Sequence, residues 1–275
     1  MKHILPLLPD AYAQQLYGMD LNRLEELRLG CGRPLRLRES RLEREVWPSA
    51  EPEMIEDVLR RACKQSIYAY ADTIRQGYVT VEGGHRIGIC GYGSGETIRS
   101  PSSINIRVAR QVMGCANDLM EALTESTLIL GPPGSGKTTL LRDIVRQLSD
   151  KRKCTVGLAD ERGELSASVH GVPQLQIGMR TDVLINISKA TAIMMLLRTM
   201  NPDWIALDEI TAPVDVEAME QASYCGVMLL ATAHASHMED LWKRPLYHKL
   251  MKSGVFRRAV ILRPDKSYTM EEVGH

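Results

Sequence analysis

Residues 131–138 of this chain form a glycine-rich segment that ends in Gly136-Lys137-Thr138. An apolar run from Thr127 to Leu130 precedes the loop, and an amphipathic run from Thr139 to Val145 follows it. A strand, the loop and a helix therefore come in the order that a phosphate-binding P-loop requires. The alternative, a glycine-rich turn with a chance lysine, does not account for that context. The pattern predicts an α/β fold built around the loop.

Each part of the loop has a chemical task in such a fold. Glycines let the backbone wrap a phosphate, so that its N–H groups and the helix N-terminus face the anion. Lys137 is expected to reach the β- and γ-phosphates, and Thr138 is expected to ligate Mg²⁺. The predicted nucleotide-binding residues are Gly131, Pro132, Pro133, Gly134, Ser135, Gly136, Lys137, Thr138 and Thr139.

A second apolar run, Trp204 to Leu207, ends in Asp208 and Glu209 about 70 residues after the loop. This spacing predicts a Walker B strand. Asp208 is expected to hold the hydrated Mg²⁺, and Glu209 to orient or deprotonate the attacking water. That division of labour favours hydrolysis of ATP over phosphoryl transfer to another molecule. The alternative is a strand that merely ends in solvated acids.

Two further strand ends carry polar side chains. Asp160 and Glu161 follow a predicted strand at 155–159, at the carboxyl-terminal edge where α/β sheets place their ligands. One of the two acids is expected to support the metal or the water, with a solvated turn as the alternative. His234 follows a predicted strand at 227–231. It either senses the γ-phosphate or bridges to a neighbouring subunit, or it is a structural histidine.

Arginine side chains commonly meet the charge that builds up on phosphate during hydrolysis. For each candidate, the alternative is an ordinary solvated or paired surface arginine. The candidates are Arg86, Arg107, Arg110, Arg162 and Arg180.

The order of the elements predicts two domains. From Ser126 onward, apolar strands alternate with amphipathic helices, which predicts a mostly parallel sheet covered by helices. Residues 10–75 are predicted mainly helical, including a helix over 51–70, apart from one hairpin around Gly30. We expect a smaller α+β N-terminal domain over residues 1–116, a linker over 117–125, and a P-loop NTPase domain over 126–275.

Composition and cysteine spacing indicate which partners and which cellular compartment to expect. Lys and Arg total 34 and Asp and Glu total 34, so no global field favours nucleic acid or an anionic membrane. The 6 cysteines are scattered without metal-site or dithiol spacing, which fits a reducing cytoplasm. Residues 1–9 are short and interrupted by proline, unlike a signal peptide or an anchor. We expect any membrane contact to go through a partner.

Taken in order, the P-loop, Asp160-Glu161-Arg162, Asp208-Glu209 and Thr232-Ala233-His234 resemble the four boxes of the type II and type IV secretion ATPases. Within that superfamily, the chain is most similar over nearly its whole length to the stage III sporulation protein AA family. The stretches that carry this similarity are Glu25-Glu26-Leu27-Arg28-Leu29, Gly32-Arg33-Pro34-Leu35, Arg75-Gln76-Gly77-Tyr78-Val79-Thr80, Gly83-Gly84-His85-Arg86, the run from Ser103 to Arg110, and the run from Gly178 to Leu184.

The resemblance implies a RecA-like ATPase domain, a hexameric ring with nucleotide between the two domains, and ATP and Mg²⁺ as cofactors. It also implies a cytoplasmic position at the inner face of a membrane, on the mother cell side, through integral membrane proteins of a sporulation channel complex. In the family, arginines of the N-terminal domain reach the nucleotide, which favours Arg86 and Arg107, with Arg110 as second choice. The chain departs from the family at Asn186-Ile187-Ser188, before Lys189-Ala190, where a Cys-Pro pair is usual, and at Thr211-Ala212-Pro213, where a glycine is common. These departures affect loop shape.

The expected function is ATP hydrolysis that energises the assembly of, or transport through, that complex. One alternative is a nucleotide-gated scaffold with little turnover. Another is a nucleic-acid-dependent motor of the RecA type. The balanced charge and the lack of an aromatic and basic stripe argue against that motor, so we expect no nucleic-acid partner.

Overall fold

The computed structural model describes residues 2–20, 23–39, 42–64, 66–95 and 97–273. The chain divides into two units, Met1–Arg110 and Gln111–His275. The domain ranges 1–116, 117–125 and 126–275 stay a prediction, and their outermost residues 1, 274 and 275 lie outside the described part of the chain.

The first unit is built on a six-stranded antiparallel sheet with the strand order β3-β2-β1-β6-β5-β4. Its strands are β1 Glu26–Gly30, β2 Arg33–Glu39, β3 Leu42–Ser49, β4 Tyr78–Val81, β5 His85–Ser94 and β6 Thr97–Arg107. Its helices are α1 Asp10–Leu16, α2 Pro52–Ala62 and α3 Ala71–Arg75. Successive strand residues face opposite sides of a sheet, so Leu27 and Ile106 enter the core with Ile55 of α2, while Arg28 and Arg107 share the other face.

Two sequence-based expectations for this unit are wrong. The mainly helical prediction for residues 10–75 includes 42–49, but these residues form β3, because pairing with β2 outweighs the helix propensity of Leu42-Glu43-Arg44-Glu45. The helix predicted over 51–70 ends at Ala62, and Lys64 already has a φ of 47°, outside the helical region. Residue 65 of that predicted helix lies outside the described residues.

The second unit contains a seven-stranded sheet with the order β13-β12-β7-β11-β10-β8-β9. All neighbours pair in parallel except β12 and β13, which are antiparallel. The strands are β7 Thr127–Leu130, β8 Val156–Asp160, β9 Thr181–Ile185, β10 Trp204–Leu207, β11 Met228–Ala233, β12 Arg258–Leu262 and β13 Tyr268–Glu272. The helices are α4 Lys137–Asp150, α5 Lys189–Thr199, α6 Pro213–Tyr224, α7 Met238–Trp242 and α8 Pro245–Lys252.

The predicted alternation of strands and helices in this part of the chain is confirmed, while β9, α7 and α8 were not predicted. Every residue of β7 and β10 is buried, as expected for parallel strands covered on both faces. Ile144 of α4 packs in one core cluster, and Ile193 of α5 and Val216 of α6 pack in the other. Because β7, β8, β10 and β11 run parallel, their carboxyl ends meet at one edge of the sheet.

Among the described helices, none has the length and apolar character needed to cross a bilayer.

The loop before β9 makes a close contact with α4 that leads to a stability prediction. Gly178 has a φ of 95°, and a Cβ built there would lie 2.4 Å from Cβ of Ser149. Gly178→Ala should therefore lower the free energy of unfolding by about 3 kcal/mol or more, because strained backbone and overpacking add. Urea unfolding measures the change.

Gly171→Ala is the matched control. Gly171 has a φ of 79°, but a Cβ there would meet nothing within 4 Å. Only the backbone cost of about 1 kcal/mol is expected for this variant. Equal losses for the two variants would contradict the clash with Ser149.

Candidate active site

The loop between β7 and α4 folds around the ammonium group of its own lysine. Lys137 Nζ lies 2.8 Å from Gly131 O, 3.0 Å from Pro132 O and 3.1 Å from His234 Nδ1. An ammonium group has three N–H donors, so these three acceptors use all of them. Burial lowers the pKa of Lys137. Gly136, directly before α4, has a φ of 99°, which glycine adopts without strain.

His234 connects this lysine to the second acidic motif. Because Lys137 donates, Nδ1 of His234 must accept, and this assigns the ring proton to Nε2. Nε2 lies 3.4 Å from Glu209 Oε1, and the two side chains are 35% and 36% exposed. The predicted residues Lys137, His234 and Glu209 are thus brought together in one row.

The carboxylate of Asp208 joins three elements. Thr138 Oγ1 donates to Asp208 Oδ2 at 3.0 Å, and Thr232 Oγ1 donates to Oδ1 at 2.6 Å. The same Thr232 hydroxyl accepts the backbone N–H of Glu209 at 2.9 Å. Thr232 was not predicted as a functional residue. Its only signal was its place two residues before His234, since its contact with Asp208 depends on the pairing of β10 with β11.

Glu209 has a strained backbone. Its φ is 25°, in the region that non-glycine residues avoid. Such a conformation costs about 1–3 kcal/mol and persists only where neighbouring contacts enforce it. Here the bond from Glu209 N to Thr232 and the bond from Ile210 N to Thr232 O, 3.1 Å long, enforce it.

Asp160 and Glu161 have different environments. Asp160 is 2% exposed, and its carboxylate accepts Leu165 N at 3.1 Å, Ser166 N at 2.8 Å and Ser166 Oγ at 2.6 Å. It therefore closes the turn that follows β8. Buried Arg142 of α4 donates to Leu165 O at 2.6 Å and so holds the same turn.

Glu161 instead faces a cleft. It is 39% exposed, and its Oε2 lies 2.5 Å from Nζ of Lys189, which is 7% exposed. Both residues line a cleft of about 30 Å³ together with Asp208, Glu209 and Thr211, among others. That space is large enough for a water molecule. Lys189 has no role predicted from the sequence, since nothing local distinguishes it from other lysines at helix starts.

A second lysine contacts the P-loop from the hairpin between β12 and β13. Lys266 Nζ donates to Gly134 O at 2.7 Å. Asp265 accepts both the backbone N–H and the hydroxyl of Ser267, at 2.9 and 2.6 Å, and so shapes the turn. This contact has no signal in the sequence, because it joins residues 132 positions apart.

The residues present fit Mg²⁺ bound with a phosphate. Thr138 and Asp208, the predicted metal ligands, supply hard oxygen atoms and are in contact. In the described part of the chain, no group of three or more His, Cys, Asp or Glu residues is arranged to hold a metal ion. Mg²⁺ usually binds through one or two carboxylates plus substrate phosphates, so a protein-only cage is not required. Ser135 Oγ in the loop is buried and has no hydrogen-bond partner within the described residues.

The candidate arginines are spread over both units. Arg86 and Arg107 lie opposite each other on β5 and β6 of the first unit. Arg110 donates to Leu24 O at 2.8 Å. In the second unit, Arg180 donates to Lys153 O at 3.3 Å and Arg162 is exposed. The roles of these arginines stay predictions.

The sequence matches a known protein family. Residues 11–271 match the family described as "Sporulation stage III, protein AA". Stage III sporulation protein AA of Bacillus subtilis (strain 168) is 36% identical over 276 residues, with 94% of this chain and 89% of that protein covered.

Two solved structures share the fold. The ATPase DotB of Legionella pneumophila aligns with a TM-score of 0.58 at 14% identity, over 90% of this chain and 75% of that one. The pilus retraction motor PilT, solved with bound ADP, aligns with a TM-score of 0.61 at 17% identity, over 86% of this chain and 74% of that one. At these identities the likeness shows the fold alone. From the match over residues 11–271 and the identity across most of both sequences, this chain belongs to the stage III sporulation protein AA family.

Proposed function

We propose that this protein hydrolyses ATP as an oligomeric secretion-type ATPase. The observation that carries the proposal is the contact between the P-loop and the Walker B strand, with Thr138 Oγ1 at 3.0 Å from Asp208 Oδ2. Beside this pair, Glu209 faces both His234 and a cleft that admits water. A phosphate-binding loop and a carboxylate aimed at water are the two parts that hydrolysis requires.

The loop residues 131–139 are proposed to wrap the phosphates of ATP with backbone N–H groups. Lys137 exchanges its present carbonyl acceptors for phosphate oxygens, and Ser135 Oγ supplies one more donor. Thr138 and Asp208 hold Mg²⁺, which, when bound, neutralises phosphate charge and orients the γ-phosphate. Placing these donors in a partly buried loop strengthens each interaction with the anion.

Glu209 is the proposed acceptor of the proton from the attacking water. His234, with its proton on Nε2, orients the Glu209 carboxylate. Asp160 acts indirectly, because its three bonds to residues 165 and 166 hold the turn that presents Glu161. Arg86 and Arg107 are proposed to meet the phosphate charge that develops in the reaction.

Family membership supports a role in sporulation. We propose that the protein forms a hexamer at the cytoplasmic face of a membrane, on the mother cell side. Hydrolysis then energises the assembly of, or transport through, a channel complex of integral membrane proteins. The solved structures of the same fold are named as a pilus retraction motor, PilT, and an ATPase, DotB, and we propose that this chain likewise couples hydrolysis to movement.

Glu209→Gln should reduce ATP turnover about 100-fold or more, because the amide cannot accept the proton from water. Binding of Mg²⁺-ATP should stay within about threefold, since the phosphate-binding groups remain. Phosphate release and nucleotide titration measure the two effects.

Glu217→Gln is the matched control, because Glu217 is an exposed glutamate on α6 that pairs with Lys249 at the surface. Its turnover should equal that of the wild type. Equal, near-zero rates for wild type and Glu209→Gln would overturn the motor and favour the nucleotide-gated scaffold.

Arg107→Ala should lower turnover at least about tenfold in the assembled protein while ATP affinity changes little, because an arginine that meets developing charge acts mainly in the transition state. The particle mass with and without a nonhydrolysable ATP analogue establishes assembly, and a nucleotide-dependent hexamer is expected. Arg28→Ala is the control on the same sheet face, since Arg28 pairs with Glu26 at 3.0 Å. Unchanged turnover of the assembled Arg107→Ala protein would remove Arg107 from the site.

A further inference from the structure

Lys189 occupies a position that is unfavourable for a lysine in two ways. It is the first residue of α5, after Ser188, whose hydroxyl caps the helix by accepting Thr191 N. A cation at a helix N-terminus opposes the helix dipole. Its side chain is also only 7% exposed, and burial of an ammonium group is costly unless a carboxylate pairs with it. A lysine at this position therefore depends on its partner, Glu161.

The cleft beside Lys189 is crowded with negative charge. Its lining includes five acids, Asp160, Glu161, Glu164, Asp208 and Glu209, and two cations, Lys189 and the exposed Arg162. Asp208 is held by the hydroxyls of Thr138 and Thr232, and Glu209 faces His234. Lys189 is the cation that pairs with Glu161 among the described contacts. Without Lys189, this lining would keep five acids and a single exposed cation, Arg162, beside the place where the Mg²⁺-triphosphate is proposed to bind, and like charges repel.

We propose that Lys189 is a positioning residue that neutralises Glu161 and fixes its carboxylate against the wall of the cleft, so that the anionic nucleotide can enter beside Asp208 and Glu209. This inference rests on the proposed function, because it concerns the same site. It also assigns the two glutamates different tasks. Glu209 acts on water, whereas Glu161 acts as part of an ion pair.

A double-mutant cycle on nucleotide binding tests this inference. Lys189→Met should raise the Kd for a nonhydrolysable ATP analogue with Mg²⁺ at least about tenfold, because Glu161 is left as an uncompensated charge. Glu161→Gln should change the Kd by no more than about threefold. The double variant Lys189→Met with Glu161→Gln should return the Kd to within about threefold of the wild-type value, since both charges are then gone.

Two further variants separate charge from structure. Lys189→Arg keeps the cation and should retain most of the affinity. Arg198→Met removes an exposed cation from the last turn of the same helix and should leave the Kd unchanged. The Tm of each variant is measured alongside, so that a loss of affinity with an unchanged Tm is attributed to charge.

A double variant that binds as weakly as Lys189→Met would overturn the inference, and so would an unchanged Kd for Lys189→Met. If Lys189→Met does not fold, the Kd values of Lys189→Arg and of the double variant test the inference in its place. Weak binding of the analogue by either of these two variants contradicts the inference. If the wild-type protein binds the analogue but does not turn over ATP, the proposed hydrolysis is wrong. The Kd values of the double-mutant cycle still test the role of Lys189 in that case. Absence of analogue binding by the wild type overturns both proposals.

Discussion

The carboxylate of Asp208 is the point on which the candidate active site depends. It accepts Thr138 from the start of α4 and Thr232 from the end of β11, while its own backbone continues β10. One anionic group thus fixes a helix and two parallel strands relative to one another. Charge-assisted hydrogen bonds are stronger than neutral ones, and here they act at an edge where the sheet already brings the strand ends together. Through the bond from Glu209 N to the hydroxyl of Thr232, the same junction also holds Glu209, which faces His234.

The hydrogen bonds around Asp208 also hold the strained backbone of Glu209. A φ of 25° is unfavourable for glutamate, yet the backbone N–H of Glu209 is held by the hydroxyl that also binds Asp208. The strain is thus maintained by the same network that orients the metal-binding acid. Lys137, His234 and Lys189 then place donors or cations beside the acids of the site. Alternation of charge keeps several ionisable groups close together without a large net repulsion.

The sequence predicted those parts of the site that depend on local order. A P-loop needs only a strand, a glycine-rich turn and a helix in succession, and a Walker B strand needs an apolar run that ends in acids. The sequence did not decide which of Asp160 and Glu161 supports the metal or the water, because that depends on the direction in which each side chain points. Successive residues near a strand end point to opposite sides, so Asp160 accepts hydrogen bonds from its own loop, whereas Glu161 pairs with Lys189.

What the sequence did not predict depends on contacts between distant segments. Thr232 meets Asp208 through strand register, and Lys189 meets Glu161 because α5 begins beside the end of β8. β3 was missed because pairing with β2 outweighs the helix propensity of its residues.

Strand register also determines the neighbours of the arginines in the first unit. Arg86 lies directly opposite Arg107, and like charges in cross-strand pairs are destabilising. The ring of Tyr78, 3.6 Å from the Arg86 guanidinium, offsets part of that cost. On its other side, Arg107 has Glu26 as its register partner, but the Glu26 carboxylate lies 3.0 Å from Arg28. Two arginines opposite each other on one face of a sheet are residues suited to an anion, and this register supports the proposed role of both toward phosphate.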